Sequence, residues 1–87
     1  MIIKYHKRFE KRYKKLSPSL QRKAQQAIEI FQRNPYDIRI NNHALAGKMR
    51  GQRAFSVTGD VRIIFEESDN YLFVLFLAIG SHPQVYR

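Results

Sequence analysis

The sequence predicts an α+β domain, in which an N-terminal strand and an antiparallel two-helix hairpin pack on a twisted, mainly antiparallel four-stranded sheet. Apolar residues recur at helical spacing over residues 6–33, and a Ser-Pro pair interrupts the pattern. Residues 52–79 show strand patterns separated by two turns. Because 87 residues support one modest core and no segment has linker composition, residues 1–87 are predicted to form a single domain.

The first two elements are a short strand and a cationic helix. Residues 1–5 are predicted to form the strand, with Ile2 and Ile3 at its centre. Phe9, Tyr13 and Leu16 then fall on one stripe of a helix, since they are spaced i, i+4 and i+7. Lysines and arginines fill most of the positions between them. This pattern predicts a helix with one apolar face and a strongly basic remainder.

The second helix is predicted from Ser17 to about Arg33. Ser17 is a favourable N-cap, and Pro18 suits the first helical position, where its missing N–H is not needed. Asn34-Pro35 ends the helix. Its buried stripe is expected to consist of Leu20, Ala24, Ala27, Ile28 and Phe31.

Three strands are predicted in the second half, after an irregular segment at residues 36–50. Residues 52–57 form the first of these strands, and residues 61–66 alternate between two faces. Residues 71–79 are apolar throughout, which is typical of a central strand covered on both faces. Gly80 ends this strand, and the tail at residues 81–87 is left unassigned.

Composition limits the possible chemistry and the location. The chain has no cysteine, which excludes disulfides, thiolate metal sites and cysteine nucleophiles. No run approaches the roughly 18 apolar residues of a membrane span, and the N-terminus is too short and polar for a signal peptide. The expected location is the cytoplasm, without a membrane partner.

Charge is distributed unevenly along the chain. Sixteen lysines and arginines oppose seven acidic residues, which gives a formal net charge of +9. Nearly all of the basic residues lie in the first 53 positions, whereas the remainder is slightly acidic. A strongly basic part of a small folded body favours a polyanionic partner, most often nucleic acid. The alternative is a solvated basic surface that aids solubility.

Four motifs resemble those of the RelE/ParE toxin superfamily, in its YafQ-like (RelE/StbE-type) branch, and they cover nearly the whole chain. The order of elements is also similar. The motifs are His43-Ala-Leu45-Ala-Gly47, Gly51-Gln-Arg53, Gly59-Asp60-Val61-Arg62-Ile63-Ile64-Phe65 and Ile79-Gly80-Ser81-His82-Pro-Gln-Val85-Tyr86. The resemblance implies a toxin of a type II toxin–antitoxin module that cleaves mRNA on the ribosome, and it implies a cognate antitoxin as partner.

The resemblance also implies a set of catalytic residues. His43, Asp60, His82 and Tyr86 match catalytic positions of YafQ-like toxins. One position departs from the family, because Ser56 stands where those toxins carry a further histidine. Serine does not carry a proton near neutral pH as imidazole does, so the division of roles among the remaining groups stays open.

Arg62 completes the expected catalytic set, because it is more typical of other RelE-like members and can supply cationic character. RNA can be cut without a metal by its own 2′-hydroxyl, given a base, an acid and cations at the phosphate. Histidine suits the first two roles, and arginine suits the third. His82 is assigned as acid or base without a choice between them. Asp60 would orient or charge a histidine, and Tyr86 would stack on a base.

Each of these residues has a structural alternative. His43 would be a solvated loop residue, His82 a turn cap, Asp60 a turn former and Tyr86 a core aromatic. Arg62 would form a salt bridge with Glu66 on the same strand face. The expected RNA-binding residues are Lys48, Arg50, Arg53 and Ser56.

The sequence has three alternative interpretations. The histidines lack metal-binding spacing, so no metal and no cofactor are expected. A ParE-like inhibitor of DNA gyrase would use the same fold without catalysis, although the Gly80-Ser81-His82 ending favours the nuclease. Ser56 also fits a catalytically degenerate member that binds only RNA or an antitoxin.

Overall fold

Five strands form one mixed sheet in the computed structural model, which describes residues 1–86. The strands are β1 (Ile2–Tyr5), β2 (His43–Ala44), β3 (Arg53–Ser56), β4 (Val61–Ser68) and β5 (Phe73–Ser81). The helices are α1 (Lys7–Lys15), α2 (Pro18–Arg33) and α3 (His82–Val85), and 3-10 turns span Ile38–Ile40 and Gly47–Met49. No helix within the described residues has the length and apolarity needed to cross a membrane.

The sheet order is β1-β5-β4-β3-β2. β1 runs parallel to β5, and every other neighbouring pair is antiparallel. The two long helices, α1 and α2, precede the meander of β3, β4 and β5. The predicted α+β architecture is therefore confirmed, and β2 adds a fifth strand that is only two residues long.

The hairpin of α1 and α2 forms where the sequence predicts it. The Ser17 hydroxyl accepts a hydrogen bond from the Leu20 amide at 3.2 Å, and Pro18 occupies the first turn of α2. The Gln21 side chain donates to the Tyr13 carbonyl at 3.0 Å, and the Gln25 side chain donates to the Tyr13 hydroxyl at 2.8 Å. These bonds connect α1 to α2 on both sides of the Ser-Pro junction.

The sheet face covered by α1 and α2, here called the hairpin face, holds the main core. Phe31 of α2 stacks on Phe55 of β3 with ring centroids 4.5 Å apart, and it meets Phe65 edge-on at 5.0 Å. Burial of aromatic rings of this size dominates the stability of a small core. The other face, here called the open face, carries only a small cluster around Ala54, Ile64, Ala78 and Val85.

A β-bulge between β4 and β5 sets which side chains reach each face. Ile64 pairs with Ala78, whereas Phe65 pairs with Phe76, so Leu77 is the additional residue. Phe76 and Ile79 therefore both pack on the hairpin face although they are three residues apart. The uninterrupted apolar pattern of this strand reflects the bulge as well as burial on both faces.

Three local features differ from the sequence-based expectation. The sequence predicts that Tyr71 begins the last strand, but it ends a run of left-handed residues (φ 53°, 55° and 69° at residues 69–71), and β5 starts at Phe73. The Tyr71 ring is nevertheless buried, which explains its strand-like apolar signal. The segment at 36–50 contains β2 and both 3-10 turns, and the unassigned tail forms α3.

Candidate active site

The open face brings three of the predicted site residues together. His43 pairs with Ala54 across β2 and β3, and Ser56 pairs with Arg62 across β3 and β4. Directly opposed residues of antiparallel strands point to the same face, and so do residues two apart on one strand. His43, Ser56 and Arg62 therefore share the face opposite the helical hairpin.

Small residues keep this part of the sheet shallow. Ala54 lies between His43 and Ile64, and Gly80 lies beside Arg62 on β5. No long helix covers this face, since α1 and α2 pack on the other one. The sheet beside His43 and Arg62 therefore carries small side chains on this face.

The His43 ring is fixed in one tautomer by the backbone. Its Nδ1 lies 2.9 Å from the carbonyl oxygen of Asn41. A carbonyl oxygen only accepts, so Nδ1 carries the hydrogen, and Nε2 of the neutral ring has a free lone pair. Asn41 adopts a left-handed conformation (φ 49°), which asparagine tolerates better than most residues. The neutral ring can therefore accept a proton at Nε2.

Asn42 braces the segment that carries His43. Its side-chain nitrogen donates to the Pro35 carbonyl at 3.0 Å and to the Tyr71 hydroxyl at 2.9 Å, and its oxygen accepts from Arg53 Nε at 2.9 Å. Burial is the main cause that raises the pKa of Tyr71, and the interaction of its hydroxyl with that of Tyr36 raises the pKa further. Tyr71 thus remains a neutral hydroxyl that can accept from Asn42.

Arg53 does not join the open-face residues. It pairs with Phe65, so its side chain lies on the hairpin face, where Asn42 holds Nε and the guanidinium lies 5.9 Å from the Tyr36 ring centre. Sequence reasoning missed the connection between Asn42 and Tyr71. The sequence contains no signal for it, because the two residues are 29 positions apart and Asn42 has the composition of a loop residue.

Arg62 is placed between Ser56 and Gly80 in one row across three strands. The predicted alternative, a salt bridge to Glu66, is not formed. Within residues 1–86, the only ion pair joins Arg39 and Asp37. The half-buried Arg62 guanidinium presents a planar set of N–H donors that matches two phosphate oxygens.

His82 and Tyr86 are held at the end of β5 by α3. The Gln84 side-chain oxygen accepts from the Ser81 amide at 2.9 Å and caps this single turn. The rings of His82 and Tyr86 lie 4.2 Å apart, and buried Val85 anchors the turn on the open-face cluster. Because Ser81 pairs with Val61, the turn begins beside the residue that precedes Arg62.

Gly80 is required by this arrangement. A Cβ at position 80 would lie 2.6 Å from Gln84 Oε1 and 3.2 Å from Gln84 Cβ. The side chain that caps α3 therefore occupies the space that any larger residue would need. His82 is exposed and Tyr86 is half-buried, so the histidine is accessible to a ligand.

Asp60 lies in the exposed turn between β3 and β4. The Thr58 hydroxyl accepts from the amides of Asp60 and Val61, at 3.2 Å and 2.9 Å. The Asp60 carboxylate makes no hydrogen bond within residues 1–86, so it does not contact a histidine there. Asp60 directly precedes β4, so it lies at the same end of the sheet as His82.

Lys48 and Arg50 flank the open face on the loop that follows β2. Both are exposed, whereas their neighbours Leu45 and Met49 pack on the small cluster beneath. The loop thus orients its cations outward at the edge of the face. Within the part of the chain that the structure describes, no three histidine, aspartate or glutamate side chains converge as metal ligands.

Comparisons with known proteins agree with this architecture. The family model described as "Bacterial toxin of type II toxin-antitoxin system, YafQ" matches residues 1–87. The fold is similar to YafQ from Escherichia coli BL21(DE3), with a TM-score of 0.80, 21% identity, and coverage of 99% of this chain and 98% of that one. A YoeB/ParE toxin from Agrobacterium tumefaciens gives a TM-score of 0.78 at 16% identity, with 94% and 99% covered.

A further match comes from a complex. The E. coli DinJ-YafQ complex contains a chain with a TM-score of 0.70 and 21% identity, and the match covers 99% of this chain and 98% of that one. No curated protein was found to be similar to this chain in sequence. At these identities the structural likeness shows the fold.

Proposed function

Because this chain belongs to the YafQ family of bacterial toxins of type II toxin–antitoxin systems, we propose that it is an endoribonuclease that cleaves mRNA on the ribosome. The observation that carries the proposal is the open face, where His43, Ser56 and Arg62 lie together and His82 and Tyr86 stand at one end. A ribosome-dependent nuclease acts in the cytoplasm.

The proposed reaction uses the 2′-hydroxyl of the RNA as nucleophile and needs no metal. The 2′-oxygen attacks the adjacent phosphorus while a base takes its proton. The bond from phosphorus to the 5′-oxygen breaks, and an acid protonates the leaving oxygen. The products are a 2′,3′-cyclic phosphate and a 5′-hydroxyl. Two groups that titrate near neutrality are needed for the two proton transfers.

His43 is the proposed base. Its fixed tautomer leaves Nε2 free to accept the 2′-hydroxyl proton. Exposed His82 is then the acid for the leaving oxygen, and Arg62 stabilises the extra negative charge on the phosphorane. This division refines the expectation from sequence, which left the roles of the histidines open. Asp60, which lies at the same end of the sheet, is the carboxylate proposed to orient His82 when RNA is bound.

Four further residues are proposed to bind the RNA. Tyr86 stacks on a base next to the cleaved bond, as aromatic residues do with unpaired bases. Lys48 and Arg50 contact phosphates at the edge of the open face, and Ser56 donates a hydrogen bond to the backbone. Arg53 acts on the loop of His43 through Asn42, which is a different role from the phosphate contact expected from sequence.

We also propose a cognate antitoxin as partner. The E. coli relative was crystallised in the complex named DinJ-YafQ. An antitoxin for this chain would be acidic, because a net charge of +9 favours association with a negatively charged surface.

Primer extension on mRNA from cells induced for this protein tests the proposal. Cuts at codon-linked positions are expected for the wild type and should disappear in His43→Ala and His82→Ala. Ser19→Ala is the control, because Ser19 is exposed on α2 and its hydroxyl makes no hydrogen bond within residues 1–86.

Other outcomes separate the alternatives. Growth arrest without mRNA cuts, retained in both histidine variants, would contradict the nuclease and favour a binding toxin such as a gyrase inhibitor. Neither arrest nor cuts would favour a degenerate member, for which Ser56 is the suspected cause. A purified translation system then shows whether cleavage requires the ribosome.

A further inference from the structure

The outward surface of α1 is the most concentrated charge on the molecule. The helix has six basic residues and one acidic residue in nine positions. Each residue advances about 100° around a helix, so the basic side chains fill one arc of roughly 160° opposite buried Phe9, and Glu10 lies at its border. This α1 cationic surface consists of Lys7, Arg8, Lys11, Arg12, Lys14 and Lys15.

Part of this charge distribution opposes helix formation. Lys7 and Lys11 are one turn apart, as are Arg8 and Arg12, and like charges at this spacing destabilise a helix. Lys7 and Arg8 also lie at the helix N-terminus, where the helix dipole disfavours cations. The dipole favours the three cations of the last turn, but within residues 1–86 no carboxylate forms an ion pair with any residue of α1. Like charges that lie side by side without a partner are a departure from local stability, and such departures are expected at functional surfaces.

One edge of the α1 cationic surface adjoins the open face. Arg8 lines a cleft of about 120 Å³ together with Met49, Ala78 and Val85. Met49 and Val85 belong to the cluster that supports the Lys48 loop and α3. A strand that leaves the candidate active site past this cleft therefore reaches the first turn of α1.

We propose that the α1 cationic surface is a second RNA-binding surface, which holds the phosphate backbone outside the segment that is cut. The inference rests on the proposed function in so far as the ligand is RNA. The arc contains charged residues alone, whereas protein interfaces are depleted of lysine at their centres and need apolar anchors. Lysines contact phosphates without reading bases, so this surface adds affinity without sequence preference.

The test measures binding without cleavage. The probe is a fluorescently labelled 2′-O-methyl RNA, which lacks the nucleophile, and anisotropy gives the affinity between about 50 and 200 mM salt. The variant Lys11→Gln/Lys14→Gln/Lys15→Gln removes three charges from α1. Loss of three phosphate contacts should lower the slope of log affinity against log salt by about 2 for single-stranded RNA.

The matched control removes three exposed charges from α2. Arg22→Gln/Lys23→Gln/Arg33→Gln has the same net charge and should keep the wild-type slope. An equal decrease of the slope in both variants would show that only the net charge matters, and it would overturn the proposal. An unchanged slope in the α1 variant would overturn it as well. If only binding to an acidic protein weakens in the α1 variant, the surface has a different partner and the proposal is wrong.

The assay also separates this inference from the nuclease proposal. The 2′-O-methyl probe cannot be cut, so the slope is measured whether or not the protein is a nuclease. If no mRNA is cut in cells but the slope depends on α1, the nuclease is contradicted and the RNA-binding surface stands. The melting temperature of the α1 variant should not be lower than that of the wild type, because like charges have been removed. This measurement also checks that the variant is folded.

Discussion

The Asn42 side chain determines how firmly His43 is held, because it joins three segments that are distant in sequence. Tyr71→Phe removes the hydroxyl that Asn42 donates to, while it keeps the buried ring. We expect the free energy of unfolding in urea to fall by about 1 kcal/mol. The rate of single-turnover RNA cleavage should fall about tenfold, because a small displacement of a catalytic group is costly.

Tyr5→Phe is the control for this variant. Tyr5 is 47% exposed, and its hydroxyl makes no hydrogen bond within residues 1–86. Equal losses in stability or in cleavage from the two variants would show that the Tyr71 hydroxyl has no special part in holding His43.

Ser56 stands where the resemblance to YafQ-like toxins implies a histidine, and its position predicts a gain of function. It lies on the open face in the same row as Arg62. Ser56→His introduces a group that titrates near neutrality, and general acid–base catalysis contributes about 100-fold or more where it operates. Single-turnover cleavage at several pH values should be at least tenfold faster than with the wild type. Ser56→Gln, which cannot titrate, should give no gain, and a similar gain from both would exclude proton transfer as the cause.

At the scale of elements, α3 depends on the absence of a side chain at Gly80. Gly80→Ala would displace the Gln84 side chain from the Ser81 amide, and the turn that carries His82 and Tyr86 would lose its cap. We expect a loss of about 1 kcal/mol in stability, and faster amide hydrogen exchange at Val85 and Tyr86. The rate of single-turnover RNA cleavage should fall by more than this loss of stability explains.

Gly59→Ala is the matched control for Gly80→Ala. A Cβ at position 59 meets no atom within 4 Å, and the residue lies in an exposed turn. Unchanged hydrogen exchange in Gly80→Ala, or an equal cleavage loss in both variants, would contradict the proposed role of the Gln84 cap.

The same elements show why the sequence predicts some parts of the fold and not others. The start of α2 depends on local chemistry at Ser17 and Pro18, so it could be predicted, and the alternation in β4 could be predicted for the same reason. β2 has two residues and exists only because β3 offers a free edge. α3 depends on a side chain that folds back over Gly80. Features that require a distant partner leave no periodic signal.

The candidate site, like the fold, could be predicted from the sequence only in part. The resemblance of the motifs to those of the family predicted His43, Arg62 and His82 as site residues, and strand pairing explains how His43 and Arg62 share a face. The motifs did not indicate that the Arg53 side chain lies on the hairpin face, because the face that a side chain reaches depends on the residue at which its strand begins. The Tyr71 and Asn42 contact could not be predicted either, since Asp69 and Asn70 indicate a turn but nothing in the sequence indicates that Tyr71 is left-handed as well.

For the whole molecule, three of the four acidic residues in positions 54–87 lie away from the candidate site, and Asp60 is the exception. Arg62 is at the start of β4, whereas Glu66, Glu67 and Asp69 are at or beyond its far end. At about 3.3 Å per residue, the length of β4 places roughly 20 Å between these two ends. An approaching polyanion is therefore attracted to the end of the sheet that carries the candidate site and repelled from the other end.

The net charge of +9 also makes stability depend on salt. Mutual repulsion of the basic residues destabilises the folded state, and the Debye length falls from about 30 Å at 0.01 M to about 10 Å at 0.1 M ionic strength. We therefore expect the melting temperature at pH 7 to rise by about 5 °C over this range of NaCl, which corresponds to roughly 1 kcal/mol for a domain of this size. Calorimetry measures this change directly. Lys11→Gln/Lys14→Gln/Lys15→Gln should show a smaller rise, because part of the repulsion has been removed. A melting temperature that falls with salt would mean that attractive ion pairs outweigh the repulsion, and the basic surface would then not be the strained feature inferred for α1.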